Sequence, residues 1–467
     1  MTDKGPCLAD QLSLFKFQEL SIYSGFTSMF FFSGNRKFAI SMACALIFLL
    51  LQMYLNTGTL SAYAVTLQNP FEMEGYIVNY DYVHYECNYH FVMGELVDKW
   101  GWGWVLRREL FFVLAYPLFK LYGFYMGGLL SAVIITLVSF YFFIRFIYKR
   151  IGLWPAYTGM ALLATYPGIM YWIGSPFAQI MIVPCCCWLY LMMWHMGHTK
   201  SLLKHLAYLF VISILFTAYD LFIFFYPAIL LIYLRKRQWM QMILSFPIMV
   251  LPQVAITYWL HARGAIELKT ENSGLYMGII QSYLNMGDLS AWLKILAEVP
   301  GILVYNYFDS NFLFLPLGFL ILVVFGYFKK FSLNQIEGSI LLMALLVFLF
   351  NNMAPAYELG ASMRGVWIAR IYQPVFIAMI MYLVRFSGTM DDRLPVERRF
   401  FAGIIALCVC FNLAVNTGAV YKSSLTQWAW YRFYEHAPPE TMLENINRFG
   451  IRLVVFPHIG TGPGIQK

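Results

Sequence analysis

The stretch "NYDYVHYECNYHF" (79–91) sets Asp81 and Glu86 among tyrosines and histidines, and Glu72 and Glu74 stand just upstream. A carboxylate held against apolar surface has a raised pKa and can take a proton from a hydroxyl near neutral pH. With Tyr76, His84 and Tyr85 beside them, the same carboxylates could instead bind a divalent cation or simply face water. The residue types leave all three open. A second set lies in "SMRGVWIARIYQP" (362–374), where Arg364 and Arg370 flank the start of an apolar run and Tyr372 follows. Six residues apart on a helix, the two arginines point about 240° apart, so one of them faces a loop rather than a helix bundle. A guanidinium fork suits a phosphate; snorkelling at an interface or pairing with a loop glutamate are the other uses. The third is Asp220 in "TAYDLFIFFYP", which either orients a ligand or hydrates a tight turn.

These residues stand out because charge is scarce around them. Of 467 residues, 60% are hydrophobic and 12% charged, with a mean hydropathy of +0.63. A soluble chain of this length needs a larger charged surface, so the composition implies an integral membrane protein. The net charge of +8 does not mark a nucleic-acid binder, because the basic residues fall in short clusters at the ends of apolar runs, as in membrane loops. Cys185, Cys186 and Cys187 lie in one apolar run, and Cys408 and Cys410 in another. They read as buried thiols, with neither metal spacing nor a disulfide framework. The first long apolar run begins near Phe38, behind Arg36 and Lys37, and reads as a retained anchor rather than a cleaved signal.

The elements that must position these groups are membrane spans of roughly 20 residues. Candidates are 38–56, 126–148, 154–173, 177–196, 202–218, 219–234, 239–259, 312–328, 337–354, 366–386 and 399–419. With the N-terminus in the cytoplasm, every tight basic cluster between spans falls on one side: Lys149-Arg150, Lys200 with Lys204, Arg235-Lys236-Arg237, Lys329-Lys330, and Arg385 through Arg399. This is the bias that orients membrane proteins. The expectation is an all-α polytopic membrane protein of about eleven spans, N-in and C-out. A cytoplasmic segment (1–37) precedes the membrane domain (38–419), whose loops 57–125 and 260–311 face outward, and a small periplasmic segment (420–467) follows. In that last segment the pattern predicts a helix ending near Gly450 and then a short strand. "LRRELFFVLAYPLFKLYG" (106–123) is apolar enough to cross, but Arg107, Arg108, Glu109 and Lys120 would each be costly at mid-bilayer. It reads as a helix lying in the interface with its charges in water.

In this layout the chain resembles the GT-C superfamily of membrane glycosyltransferases, which use polyprenyl-phosphate sugars; protein mannosyltransferases and lipid A aminoarabinose transferases are of this kind. "DYVHY", with Asp81 and Tyr85, is similar to the acidic motif of the first outer loop in that superfamily, and "EMEGY", with Glu74 and Tyr76, is a second match. "LAYPLFKLYG" looks like its Pro-containing amphipathic segment, "FIRFIYKRIG" like the basic end of its second span, and "ARIYQP" like its late Arg/Tyr/Pro pattern. The likeness covers roughly residues 38–240 in layout and short patches thereafter. Two features differ from the superfamily: no Asp-Glu pair stands in the first loop, and no Lys-Pro-Pro precedes the amphipathic segment.

The resemblance implies a glycosyltransferase at the inner (plasma) membrane, acting on its periplasmic face. It implies Asp81 as catalytic base with Glu74 in support, through a cation or Tyr76. Arg370, with Arg364 and Tyr372, would hold the donor's phosphate. Tyr76, His84, Tyr85, Arg107, Arg108 and Asp220 would contact sugar or acceptor, and "WGWGW" (100–104) would serve either that site or an interfacial aromatic belt. The implied partners are a polyprenyl-phosphate-linked sugar, an acceptor that is a glycan, lipid or protein, and the bilayer, with no nucleic acid. No cofactor is implied beyond the optional divalent cation. A lipid or sugar transporter, an O-antigen polymerase or ligase, and a scaffold without chemistry are the rival readings.

Overall fold

The computed structural model describes residues 36–56, 76–77, 89, 92–94, 109–173, 178–199, 201–219, 222, 225–262, 314–334, 337–339, 341–342, 373–390, 393–436 and 456–457. In chain order these form α1 (Arg36–Asn56), β1 (Tyr76–Ile77), α2 (Leu110–Arg150), α3 (Leu153–Ala164), α4 (Pro167–Ile173), α5 (Ile182–His198), α6 (Leu202–Leu215), α7 (Tyr226–Lys236), α8 (Trp239–Ala262), α9 (Phe314–Phe328), α10 (Gln373–Ser387), α11 (Pro395–His436) and β2 (Phe456–Pro457). Among the described residues the regular structure is helical apart from the antiparallel β1–β2 pair, in which Tyr76 stands opposite Pro457 and Ile77 opposite Phe456. Among the described residues, four stretches are long and apolar enough to cross a membrane: Arg36–Tyr54, Gly127–Arg150, Trp239–Ile256 and Pro395–Thr417. Their outward faces are apolar as well, with Ile243 and Phe246 of α8 exposed, a surface that suits lipid tails.

α2 is two helices joined at a sharp break. Gly123 has φ 72° and ψ −177°, a conformation that costs glycine little and other residues much. A Cβ on Gly127 would lie 2.6 Å from the carbonyl oxygen of Leu118, so the first segment closes tightly on the start of the second. The segment Leu110–Gly123 is therefore separate from the span Gly127–Arg150. Phe111, Phe112, Ala115 and Phe119 face inward, while Val113, Leu114 and Leu121 are exposed. The expectation that its charges sit in water needs correcting. Lys120 is exposed, but Glu109 is buried, at 1% exposure.

Other expected spans also differ from the structure. The run 154–173 breaks between α3 and α4, because Pro167 cannot donate to the preceding turn and disfavours a helical residue before it; Thr165 leaves helical geometry at φ −103°, ψ 2°. In place of 219–234 there is α7, of 11 residues, about 16 Å of helix and half the hydrocarbon thickness. α11 continues as helix beyond 419 to His436, where a separate small segment was expected. The expected tail helix and most of 337–354 lie outside the described residues. Cys185, Cys186, Cys187 and Cys408 are buried as expected, but Cys410 is exposed.

α10 is the centre of the packing. It contacts α3, α5 and α9, and every residue from Gln373 to Ser387 except Arg385 is buried. One end of the bundle gathers the basic termini. Phe38 stacks on Tyr148 with ring centroids 3.9 Å apart, Phe146 meets His195, Lys236 donates to the Gly197 carbonyl, and Lys329 pairs with Glu397 at 2.5 Å.

Candidate functional site

The opposite end of the bundle holds a seam of neutral polar side chains in an otherwise apolar interior. The break after α3 leaves carbonyls without helical donors, and side chains from two other helices supply them. Gln52 of α1 donates to the Ala164 carbonyl at 2.7 Å. Asn416 of α11 donates to the Thr165 carbonyl at 3.0 Å and to Gln52 Oε1 at 2.8 Å. One turn earlier on the same face, Asn412 donates to the Thr165 hydroxyl at 3.3 Å. Burying amides in an apolar interior is tolerated only with such partners.

Next to this break, the first residue of α10 enters the seam. Gln373 is fully buried, at 0% exposure, and its Oε1 accepts from the Tyr166 hydroxyl. The amide fits because residue 168 is glycine: a Cβ there would collide with Gln373 Oε1. Among the described residues Gln373 Nε2 has no hydrogen-bond partner, and Asn416 Oδ1 has none either.

A second buried polar cluster lies at the basic end. Tyr190 donates to Glu337 Oε1 at 2.7 Å, and Arg385 Nε stands 2.5 Å from the same oxygen. The other oxygen, Oε2, accepts from the Asn334 amide at 3.2 Å, while Asn334 Oδ1 accepts from the Glu337 amide at 2.9 Å. This is a reciprocal helix cap. With its charge matched and its oxygens used, Glu337 is a structural anchor.

Of the residues singled out from sequence, Asp81, Glu74, His84, Tyr85, Arg107, Arg108, Asp220, Arg364, Arg370 and Tyr372 lie outside the described residues. Tyr76 is described as backbone only, in β1. Two neighbours can be placed. Gln373, which directly follows Tyr372, lies in the seam, and Tyr219, which precedes Asp220, is buried. Sequence reasoning passed over Gln52, Asn412, Asn416 and Gln373. The pair Asn412 and Asn416, four residues apart on an apolar helix, was the available signal.

Glu109 is the other residue whose place was unexpected. Both its carboxylate oxygens are buried without a hydrogen-bond partner among the described residues. Burial pushes its carboxyl well above the usual carboxylate range, because desolvation disfavours the charged form. Among the described residues, no three His, Cys, Asp or Glu side chains converge as a metal site. Comparison of this chain with protein-family models, curated proteins and solved structures finds no match.

Proposed function

We propose that the protein is a membrane glycosyltransferase that moves a sugar from a polyprenyl-phosphate donor to an acceptor hydroxyl on the periplasmic face, inverting the anomeric centre. The reading includes about eleven crossings with the N-terminus in the cytoplasm, counting the broken pair α3–α4 as one and the short α7 as another. Asp81 acts as base, with Glu74 in support. Arg370, aided by Arg364 and Tyr372, takes up the charge that grows on the leaving phosphate. Tyr76, His84, Tyr85, Arg107, Arg108 and Asp220 contact sugar or acceptor.

The observation that carries the proposal is the placement of Gln373. The residue behind Arg370 and Tyr372 is buried at the end of the bundle opposite the basic termini, in contact with Tyr166 at the break after α3. The break at Gly123 adds support, because it turns an apolar segment aside from the span that follows it, which is the layout the sequence resemblance leads one to expect. A second reading, transport of a lipid or sugar, draws on the break at Thr165 and Tyr166. An interrupted helix lined by polar side chains is how many transporters form a substrate site.

Purified protein in nanodiscs, given polyprenyl-phosphate sugars and a membrane-derived acceptor fraction, separates the two. Release of polyprenyl phosphate coupled to glycosylated acceptor is the expected result. Accumulation of unaltered substrate in sealed proteoliposomes, with no release, would replace the enzyme by a transporter.

A further inference from the structure

We propose that the basic end of the bundle, where α2, α5 and α7 terminate, is a binding site for the headgroup of an acidic phospholipid, with Arg150, Arg235 and Arg237 as its cations. The site lies at the end away from the buried polar seam and does not depend on the reaction proposed above.

Five helices meet here. α2 packs on α5, α5 on α6, α6 on α8 and α8 on α7. The chain reverses between α5 and α6 through 199–201, and between α7 and α8 through 237–238. The last turn of α5 ties these ends together. His195 lies close enough to Arg150 to feel its charge, and Lys236 donates to the Gly197 carbonyl. Lys236 in turn bears on His205 near the start of α6.

Cations crowded in this way repel one another. Lys329 with Glu397 and Arg385 with Glu337 are ion pairs around α9, α10 and α11, away from this sector. Arg150, Arg235 and Arg237 are exposed and enter no ion pair among the described residues. A helix C-terminus favours a nearby cation, and Lys236 is used in that way. Arg237 is not needed for it. It occupies the left-handed position that closes α7, at φ 55° and ψ 36°, where glycine or asparagine is the usual residue. A strained arginine at such a place is a mark of function, and its guanidinium fork suits a phosphate.

The surface beside the cations selects a lipid over a soluble anion. Leu234 directly precedes Arg235, Trp239 and Met240 follow Arg237, and Leu203 stands next to Lys204; all four are exposed. Acyl chains can lie on this apolar wall while the phosphate meets the arginines, with Trp239 at the headgroup level where tryptophan collects. A free phosphate or an acidic peptide would leave the wall uncovered. Basic pockets between helices at a membrane surface hold acidic headgroups by this combination.

Two measurements on the full-length protein test the site. The first leaves the chain unaltered: photoreactive phosphatidylglycerol or phosphatidylcholine is placed in phosphatidylcholine nanodiscs, and the labelled peptides are identified by mass spectrometry. Phosphatidylglycerol should label the peptides around Arg150 and 234–240 in preference to phosphatidylcholine. Equal labelling by the two lipids overturns the proposal. The second is equilibrium binding of fluorescent phosphatidylglycerol in detergent, with melting to show that each variant folds. Arg235→Gln combined with Arg237→Gln should weaken binding roughly fivefold or more, the worth of one or two basic side chains near an anionic surface. Lys330→Gln combined with Arg399→Gln removes two exposed cations from the other side of the same end and should change it little. Equal losses in the two pairs would mean a diffuse attraction to the whole basic end and overturn the site. Displacement of the lipid by an equal concentration of glycerol phosphate would make the ligand a soluble phosphate and overturn the lipid.

Discussion

Arg385 Nε lies 2.5 Å from Glu337 Oε1, a buried ion pair that fastens the last turn of the central helix α10 to the segment after α9. The Tyr190 hydroxyl from α5 shares that oxygen, so the contact joins three parts of the bundle. Removing Arg385 alone would strand a buried carboxylate. Arg385→Ala should cost near the lower end of roughly 3–5 kcal/mol, because 25% of the Arg385 side chain remains exposed. Replacing both partners, as Arg385→Met with Glu337→Gln, should recover much of the loss. Thermal melting in detergent reads both. Lys329→Ala, which breaks a pair with a 38% exposed lysine, should leave the melting temperature unchanged.

Gly123 and Gly127 should resist substitution for different reasons. Alanine at 123 meets the backbone strain of φ 72°, about 1–3 kcal/mol. Alanine at 127 drives its Cβ into the Leu118 carbonyl and must push the two segments of α2 apart. Accessibility of a cysteine placed at Leu121 should change in Gly127→Ala and stay constant in a control such as Gly403→Ala, where a Cβ meets nothing within 4 Å.

Asp81→Asn should fold and bind donor while losing on the order of 10²–10⁴-fold in transfer rate, the usual worth of a general base. Glu74→Gln should lose much less. A single-turnover assay compares them directly. A dead Glu74→Gln beside an active Asp81→Asn would move the base, and two active variants would end the enzyme reading.

For Arg370, the informative change is Arg370→Lys, which keeps charge and loses the bidentate fork. Turnover should fall in this variant, and full activity in Arg370→Ala would pass the phosphate role to Arg364.

Reporter fusions after Ala262 and after Gly464 should both score as periplasmic. A cytoplasmic score at either would take the proposed site off that face.

Much of the helical order was legible in the sequence because apolar runs and basic ends follow from bilayer physics. The start of α1 at Arg36-Lys37 and the end of α2 at Lys149-Arg150 needed only that. The segment 106–123 could be set apart from the next span because its four charges made crossing costly. The break that achieves this hangs on the φ of Gly123, which composition does not reveal. α3 and α4 looked like one span because Pro167 is tolerated in a membrane helix once its freed carbonyls are met; here Gln52 and Asn416, far away in sequence, meet them. Amides carry no charge to mark them in an apolar run, and only the folded chain brings Gln52, Asn412 and Asn416 together. Glu109 was read as solvated for the opposite reason, since a lone charge beside Arg107 and Arg108 gives no sign of which way it turns.

The pairing of β1 with β2 sets the order in which the molecule can be completed. Tyr76 and Ile77 emerge early in synthesis, whereas Phe456 and Pro457, their partners, follow only after every helix from α2 to α11 has been made. β1 therefore waits for its partner through most of the chain's production. A truncated product would make its helices and still leave β1 unpaired, so β2 is a late closing step on a strand laid down near the beginning.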